Sequence, residues 1–286
     1  MKSSVKRVGL LYHPRVDASR QLAHDFVPIA ERSGYETWIE SAWAEEKIIA
    51  QAASCDLLVT LGGDGTILRI ARAALENEAN RVATTPLLTI DFGTLGFLAE
   101  LAPAKALSGF RQVLAGDFWI EERGLLRATL VRNGEMVAEQ FVLNDVVLGC
   151  GEGSHAIRLI LFIDDIETAR YMADAMIIAS PTGSTAYAMA AGGPIMGPDL
   201  AAMLAVPVAA HLAMARSFVI AASSRITLKA STYKKTMITL DGQVRLPYQA
   251  DDLLHVTYSN AVARFIRLGS PTYFYATLYD KLRRAQ

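Results

Sequence analysis

The sequence is poor in cysteine, in net charge and in long apolar runs, and each of these absences excludes a class of protein. Its two cysteines, Cys55 and Cys150, are not spaced as a Cys-x-x-Cys pair, so neither a disulfide framework nor a zinc site is expected. The formal net charge of −1 gives the chain no general attraction to nucleic acid or to an anionic membrane. We therefore expect a cytoplasmic protein with reduced thiols, in which any affinity for phosphate is built locally.

The apolar runs are too short for a leader peptide or a membrane span. Residues 8–12 are apolar but are followed by a His-Pro pair, whereas the apolar core of a signal peptide runs to about 7–15 residues. The longer stretch 200–215 contains Pro207 and His211 and falls short of the roughly 20 apolar residues that a spanning helix needs. We interpret this stretch as a buried segment or a subunit interface, and we expect no membrane partner.

A length of 286 residues suggests roughly two domains of ~100–200 residues each. Hydrophobic residues make up 52% of the chain, which is ample for a core. Up to about residue 120, short apolar strands alternate with helical patterns, as is typical of a parallel sheet covered on both faces. From about residue 121 the pattern is mostly that of antiparallel strands, with a hairpin turn at Asn133-Gly134. We therefore predict an α/β domain over 1–120, a β-rich domain over 121–270, and a C-terminal helix over 271–286 that could return to the first domain.

The individual elements follow from apolar periodicity. Pro28 lies inside one helical pattern and could kink or split that helix. The predicted helices include 18–33, 67–75 and 272–284, and the predicted strands include 8–12, 57–61, 86–91, 139–148, 158–164 and 171–179.

The run Gly62-Gly63-Asp64-Gly65-Thr66 is the most informative part of the sequence. It follows a predicted strand and opens a helical pattern. Glycines allow main chain to come close to a ligand, and a helix start presents free N–H groups and the positive end of its dipole to a phosphate. Beside such a phosphate, Asp64 could hold a metal ion or accept a proton from an attacking hydroxyl. A tight turn with a capping aspartate is the alternative interpretation.

Two polar motifs stand out in the second half of the chain. Residues 180–187 form a turn whose Ser and Thr hydroxyls could donate to ligand oxygens or cap a helix, and Tyr187 could stack on a base. Asn144-Asp145 interrupts a predicted strand, where the amide could contact an adenine or amide ring and the carboxylate a ribose hydroxyl. A capped helix start and a strand end beside a bulge are the alternatives, and Asp241-Gly242-Gln243 alone indicates only a turn.

Taken together and in this order, these segments resemble the NAD kinases. The glycine-rich motif is shared with diacylglycerol and sphingosine kinases, so the motif at 180–187 is the more specific one, and the resemblance covers nearly the whole chain. The matching segments are Gly62-Gly63-Asp64-Gly65-Thr66, Leu95-Gly96-Phe97-Leu98, Asn144-Asp145, Asp174, residues 180–187, Gly192-Gly193-Pro194-Ile195 and Asp241-Gly242-Gln243.

The resemblance implies a Rossmann-like N-terminal domain and a β-rich, β-sandwich-like C-terminal domain, with the dinucleotide in the cleft between them. It implies phosphorylation of the adenosine ribose 2′-hydroxyl of NAD to give NADP, with ATP or polyphosphate as donor and a divalent metal ion, Mg²⁺ or Mn²⁺. It also implies a cytoplasmic homodimer or homotetramer.

The resemblance further implies roles for individual residues. Asp64 is implied as the proton acceptor for the 2′-hydroxyl, and Asp174 as a contact on the nicotinamide side that a neighbouring subunit could contribute. No residue is implied as a metal ligand. The other implied dinucleotide contacts are Gly65, Phe97, Asn144, Asp145, His155, Thr182, Thr185, Ala186, Tyr187 and Gln243.

Three positions depart from the usual residues of the family. Asp91 replaces an asparagine and could bind metal or repel phosphate, Met172 replaces a frequent arginine, and Ala190 replaces a serine. Two other functions remain open on the sequence: a lipid or small-alcohol kinase of the diacylglycerol or sphingosine kinase type, and a catalytically weak dinucleotide-binding regulatory protein. The sequence does not decide between NAD and NADH as the acceptor.

Overall fold

A computed structural model describes residues 6–76, 84–93, 96–151, 156–210, 216–231 and 235–284. The chain forms two compact units: unit 1 comprises Met1–Arg123 and Val262–Gln286, and unit 2 comprises Gly124–Ala261. In chain order the elements are β1 (Lys6–Tyr12), α1 (Asp17–Arg32), β2 (Tyr35–Ser41), α2 (Glu45–Ala52), β3 (Leu57–Leu61), α3 (Asp64–Glu76), β4 (Leu87–Ile90), α4 (Ala106–Leu114), β5 (Trp119–Arg132), β6 (Glu135–Val142), β7 (Asp145–Cys150), β8 (Ile157–Ile163), β9 (Ile166–Ala173), β10 (Ala175–Ala179), α5 (Tyr187–Ala190), β11 (Ala202–Val208), β12 (Phe218–Ala221), β13 (Arg225–Ala230), β14 (Thr236–Leu240), β15 (Val244–Tyr248), β16 (Leu253–Arg267) and α6 (Tyr273–Arg284).

Unit 1 contains a parallel sheet in the order β2-β1-β3-β4. Its register places Leu10 beside Ile39 on one side and Val59 on the other, and Phe265 of β16 pairs in parallel with Leu87 of β4. Every residue of β3 and β4 is buried, because strands covered on both faces need apolar side chains on both. The predicted parallel sheet of the N-terminal half is confirmed.

The helices of unit 1 bury apolar faces against this sheet. The rings of Phe26 in α1 and Phe110 in α4 lie 4.4 Å apart within the core. Pro28 lies inside α1, which nevertheless runs as one helix from Asp17 to Arg32. The helix predicted at 18–33 is confirmed, and the proline does not split it.

Unit 2 contains two antiparallel sheets that share one apolar core. The first has six strands in the order β12-β11-β10-β7-β14-β15, and in the second β9, β8, β13 and β16 follow one another while β5 pairs with β16 and β6. Leu148 and Met176 enter the core from the first sheet, and Leu161, Leu228 and Leu254 enter it from the second. This is the packing of a β-sandwich, in agreement with the predicted β-rich half.

Two predicted strands of this half are each divided in the structure. The strand expected over 139–148 is broken at Leu143-Asn144 between β6 and β7, and the strand expected over 171–179 is broken at Asp174 between β9 and β10. At each break the chain leaves one sheet and enters the other. Each of these two stretches of sequence therefore contributes to both sheets, and the crossing lies at a polar residue, Asn144 in the first and Asp174 in the second.

The apolar stretch 200–215 contains β11, which lies between β10 and β12 in the six-stranded sheet and is buried over residues 202–206. The expectation of a buried segment is thus confirmed for β11, while residues 211–215 lie outside the described part of the chain. The turn at Asn133-Gly134 joins β5 to β6, as predicted. No helix among the described residues is long and apolar enough to cross a membrane.

Candidate functional site

The first cluster of predicted site residues lies in unit 1, just after β3 ends and where α3 begins at Asp64. Asp64 Oδ2 accepts a hydrogen bond from the Phe97 N–H at 2.9 Å, and Oδ1 accepts one from the Leu98 N–H at 3.3 Å. Gly65 is the second residue of α3 and is exposed. The structure therefore brings Asp64, Gly65 and Phe97 together.

A second carboxylate, that of Asp91, lies beside Asp64 with Gly96 between them. A Cβ atom at Gly96 would be 2.9 Å from Asp64 Oδ1 and 3.0 Å from Asp91 Oδ2, so the position requires glycine. Burial raises the pKa of Asp64, the charge of Asp91 acts in the same direction, and two backbone hydrogen bonds and the Lys281 ammonium oppose them. The raised pKa makes this carboxylate a better proton acceptor.

A buried ion network that the sequence did not predict supports this cluster. Arg267 at the end of β16 is only 1% exposed, and its Nη1 donates to the Leu98 carbonyl oxygen at 3.2 Å. The guanidinium also pairs with Glu100 at 3.2 Å and with Glu121 at 2.8 Å. The network fixes the main chain that donates to Asp64. The signal in the sequence was an arginine inside an apolar strand.

The second cluster lies in unit 2 and is anchored by Asp241, which belongs to a segment that matches the family but to which the sequence assigned no role. The Asp241 carboxylate accepts hydrogen bonds from three successive N–H groups, those of Leu143 (3.0 Å), Asn144 (2.6 Å) and Asp145 (3.2 Å). The chain crosses from one sheet to the other at this point, where a strand ladder does not pair these groups. Asp241 therefore holds the Asn144-Asp145 motif in place.

The turn at 180–187 packs directly against the same motif. The Ser180 N–H donates to the Asn144 carbonyl oxygen at 2.9 Å, and a Cβ at Gly183 would lie 2.0 Å from that oxygen, so no larger residue fits. The hydroxyls of Ser184 and Thr185 donate to main-chain carbonyls of the turn at 2.6 and 3.0 Å. These hydroxyls build the turn rather than point to a ligand.

Two adjoining cavities, with volumes of about 540 and 400 Å³, open beside Tyr187 at the end of this turn, and the smaller one is also lined by Asn144 and Asp145. Pockets of about 300–1,000 Å³ are the usual size for small-molecule and cofactor sites. Both cavities are lined by Val147, Tyr187, Thr239 and Arg245. The larger is also lined by Gly149, Cys150, Gly151, Asp174, Ala175, Lys235 and Met237, and the smaller by Asn144, Asp145, Ala186, Asp241 and Gly242.

Two polar groups of the motif are suited to a ligand. The buried Oδ1 of Asn144 has no hydrogen-bond partner among the described residues, and a buried acceptor without a partner is costly unless a ligand supplies one. Burial, and then the charge of Asp241, raise the pKa of Asp145 to about 7, against a backbone hydrogen bond from Tyr187. The Asp145 carboxyl can therefore be neutral or charged near neutral pH.

The remaining predicted contacts occupy different places. Asp174 lines the larger cavity at the crossing between β9 and β10. Thr182 and Thr185 are buried in the turn, and Gln243 lies just after Asp241, where its N–H donates to the Leu240 carbonyl oxygen at 2.9 Å. His155 lies outside the described residues. Sequence reasoning missed Lys235 and Arg245, which add two cations to the cavity lining.

Comparison with known proteins identifies the family. Residues 8–118 match the family model of the ATP-NAD kinase N-terminal domain, and residues 143–268 match that of the ATP-NAD kinase C-terminal domain. An NAD kinase of Dehalococcoides mccartyi is 36% identical over 279 residues, covering 97% of this chain and 96% of that protein. An NAD kinase of Chloroflexus aggregans is 35% identical over 283 residues, covering 98% of this chain and 100% of that protein. The chain belongs to the NAD kinase family.

The fold agrees with this membership. The crystal structure of yeast NADH kinase complexed with NADH superposes with a TM-score of 0.84 at 23% identity, covering 99% of this chain and 89% of that one. At that identity the likeness concerns the fold alone, which is the expected Rossmann-like domain joined to a β-rich one. The NAD kinase relatives support neither a lipid or small-alcohol kinase nor a catalytically weak dinucleotide-binding regulatory protein.

The NAD kinase family implies a divalent metal ion, and the residues of unit 1 fit one that is shared with a phosphate donor. The described residues contain no cluster of three or more His, Cys, Asp or Glu side chains that could hold a metal by themselves. Kinase sites commonly bind Mg²⁺ through one or two carboxylates together with substrate phosphates. Asp64 and Asp91 provide two carboxylates at one place.

Of the three departures from the family's usual residues, Asp91 alone lies in one of the two clusters described above. Met172 is on β9 with its side chain 39% exposed, and Ala190 ends α5, where it is exposed. Asp91, in place of asparagine, changes the charge beside Asp64. The other two change surface positions of unit 2.

Proposed function

We propose that the chain is an NAD kinase that transfers a phosphoryl group from ATP to the 2′-hydroxyl of the adenosine ribose of NAD, giving NADP and ADP. The observation that carries the proposal is Asp64, a largely buried carboxylate that opens α3 after a glycine-rich turn and is oriented by two backbone N–H groups. Its placement suits a proton acceptor beside bound phosphate.

In the proposed reaction the 2′-oxygen attacks the terminal phosphorus of ATP, and the bond from that phosphorus to the ADP oxygen breaks. The proton of the hydroxyl passes to the carboxylate of Asp64. A ribose hydroxyl is a poor nucleophile at neutral pH, and a positioned base typically contributes ~10²–10⁴-fold to the rate. Most of the remaining acceleration in phosphoryl transfer comes from positioning and from charge neutralisation.

We assign dinucleotide binding to the cavities of unit 2. Asn144 Oδ1 accepts from an amino group of the adenine or carboxamide, which supplies its missing partner. Asp145 accepts from a ribose hydroxyl, and the 46% exposed Tyr187 stacks on a base. Asp174 contacts the nicotinamide side. Gly65, Phe97, Thr182, Thr185, Ala186 and Gln243 complete the proposed set of contacts and supporting residues.

Several finer points belong to the same proposal. A Mg²⁺ or Mn²⁺ ion held by Asp91 and the donor's phosphates would neutralise charge on the transferred group. We propose ATP as the donor, with polyphosphate to be compared directly, and a cytoplasmic homodimer or homotetramer. Light scattering after size-exclusion chromatography measures the oligomeric state.

The test is NADP formation by purified protein with NAD, ATP and Mg²⁺, with NADH and a panel of lipid alcohols assayed in parallel. In Asp64→Asn the amide oxygen can keep the stronger of the two backbone hydrogen bonds, at 2.9 Å, so we expect a folded protein that still binds NAD. Its turnover should fall by ~10²-fold or more. Asp117→Asn, a change of an exposed carboxylate in the same unit, is the control and should be fully active. Near-normal turnover of folded Asp64→Asn would refute the assigned base, and phosphate transfer to a lipid alcohol alone would refute the substrate.

A further inference from the structure

The C-terminal helix α6 places a lysine at the Asp64 cluster. The Lys281 ammonium lies 5.4 Å from the centre of the Phe97 ring, and the N–H of the same Phe97 donates to Asp64. The positive charge of Lys281 and the negative charge of Asp64 act on each other's pKa in opposite senses. A cation and the proposed base therefore both lie next to Phe97, although they are more than 200 residues apart in the sequence.

The other cations near Lys281 already have carboxylate partners. Arg267 pairs with Glu100 and Glu121, and Arg123 pairs with Glu121 at 3.0 Å. Among the described residues, Asp64 and Glu100 act on Lys281 through their charge, without a hydrogen bond to its ammonium. Lys281 therefore differs from the two arginines of the cluster, whose charges are each matched by a carboxylate within salt-bridge distance.

The surroundings of Lys281 disfavour its positive charge. Burial lowers the pKa of Lys281, and the charges of Arg267 and Arg123 act in the same direction against those of Asp64 and Glu100. A half-buried ammonium beside two arginines gains stability when an anion approaches it. The position beside the glycine-rich turn is where an incoming phosphate would bring such a charge.

We propose that Lys281 binds the phosphate group that is transferred, as a catalytic cation of the Asp64 site. The inference rests on the proposed function. It adds the residue that neutralises negative charge on the phosphate donor next to the carboxylates of Asp64 and Asp91. A lysine acts as a point charge toward phosphate, so its contribution depends on charge and position rather than on a fixed hydrogen-bonding plane. Charge stabilisation of this kind accounts for much of the rate of phosphoryl transfer.

The experiment compares Lys281→Met, Lys281→Arg and the control Arg283→Met. Arg283 is on the same helix, is exposed and lies over Tyr279, so its replacement removes an equal charge from α6 without touching the cluster. We expect Lys281→Met to lose ~10²-fold in kcat/KM for ATP with an unchanged KM for NAD. Lys281→Arg should recover part of this loss, and Arg283→Met should match the native protein.

A binding measurement separates a phosphate contact from a merely structural role. Calorimetric titration with tripolyphosphate, which cannot undergo the reaction with NAD absent, should give at least tenfold weaker binding to Lys281→Met than to Arg283→Met. If the Met variant does not fold, Lys281→Gln, which keeps a polar end group at this half-buried site, provides the same comparison.

The outcomes are distinguishable. A native protein that forms no NADP refutes the proposed function itself. A native protein that forms NADP, with Lys281→Met equal to Arg283→Met in kcat/KM for ATP and in tripolyphosphate affinity, refutes the role of Lys281. Equal increases in the KM for ATP and the KM for NAD in Lys281→Met, with unchanged tripolyphosphate binding, would also overturn it. That pattern indicates a general structural effect.

Discussion

Replacing Asp241 by asparagine tests whether one carboxylate holds the dinucleotide-binding motif in place. Asp241 has a φ of 49°, in the left-handed region that asparagine tolerates well, so the substitution adds little backbone strain. It also keeps the size and shape of the side chain. What it removes is one of two acceptor oxygens and a negative charge.

The cost follows from the hydrogen bonds. Oδ1 of Asp241 accepts from Asn144 and Asp145, and Oδ2 accepts from Leu143. If the asparagine keeps its oxygen toward Asn144 and Asp145, its NH₂ group faces the Leu143 N–H. That buried N–H is then left without an acceptor, at a cost of about 1–3 kcal/mol. The other two bonds lose their charged acceptor, at a few tenths to about 1 kcal/mol each. We therefore expect a total loss of about 3 kcal/mol.

The assay is amide hydrogen exchange over residues 143–145 at pH 6, with calorimetric titration of NAD. At that pH, below the pKa of about 7 of Asp145, repulsion between the two carboxylates is small and the hydrogen bonds alone are measured. A loss of about 3 kcal/mol corresponds to roughly 10²-fold faster exchange. At pH 8 the difference should be smaller, because the substitution also removes the repulsion of an ionised Asp145.

The control is Asp165→Asn, in which the altered carboxylate lies on the surface of unit 2 and pairs with Arg225. Exposed ion pairs contribute about 0–1 kcal/mol, so exchange over 143–145 and NAD affinity should stay as in the native protein. Unchanged protection in Asp241→Asn at pH 6 would refute the anchoring role. A loss that is larger at pH 8 than at pH 6 would refute the argument from repulsion.

Three further changes test the two clusters. Gly183→Ala places a Cβ 2.0 Å from the Asn144 carbonyl oxygen and should lower NAD affinity at least tenfold in calorimetric titration; unchanged affinity would contradict the close packing. Gly96→Ala places a Cβ 2.9 Å from Asp64 Oδ1 and should displace this carboxylate. Because a misplacement of about 1 Å can lower a rate by ~10²-fold, kcat for NADP formation should fall by that order while NAD affinity is kept. Equal losses in kcat and in NAD affinity would count against a local effect on Asp64. Asp145→Asn removes a carboxyl whose folded pKa of about 7 exceeds its unfolded value, so the native protein loses stability as the pH rises from about 4 to about 7. The urea midpoint of Asp145→Asn relative to the native protein should rise between about pH 4 and pH 7 and then stay level. A difference that does not vary with pH would refute the raised pKa of Asp145.

The sequence was sufficient for elements whose pattern is local. The strand predicted at 57–61 is β3, Leu57–Leu61, because a strand buried on both faces leaves an uninterrupted apolar run. The helix expected at 272–284 is α6, Tyr273–Arg284. By contrast, the divisions at Asn144 and Asp174 depend on which sheet each half joins, a long-range choice that the apolar pattern does not contain.

The site was predictable to a similar degree. Asp64 and Phe97 follow strands of one parallel sheet, whose carboxyl ends lie along one edge, so their proximity could be expected from the order of elements. Asp241 and Lys281 offered no such signal. Asp241 alone indicated only a turn, and Lys281 lies in the predicted helix 272–284 without a role assigned to it. The position of each depends on contacts with distant parts of the chain.

The two clusters use the same device with different consequences. In each, main-chain N–H groups from a distant segment orient a carboxylate that has room for about four hydrogen bonds. Asp241 accepts three from successive residues, so its oxygens are largely committed to the fold. Asp64 accepts two, one of them long at 3.3 Å, and keeps capacity to accept a proton. Loss of the Asp241 carboxylate should therefore weaken the fold of unit 2 and NAD binding together, whereas loss of the Asp64 carboxylate should lower the rate and leave both nearly intact.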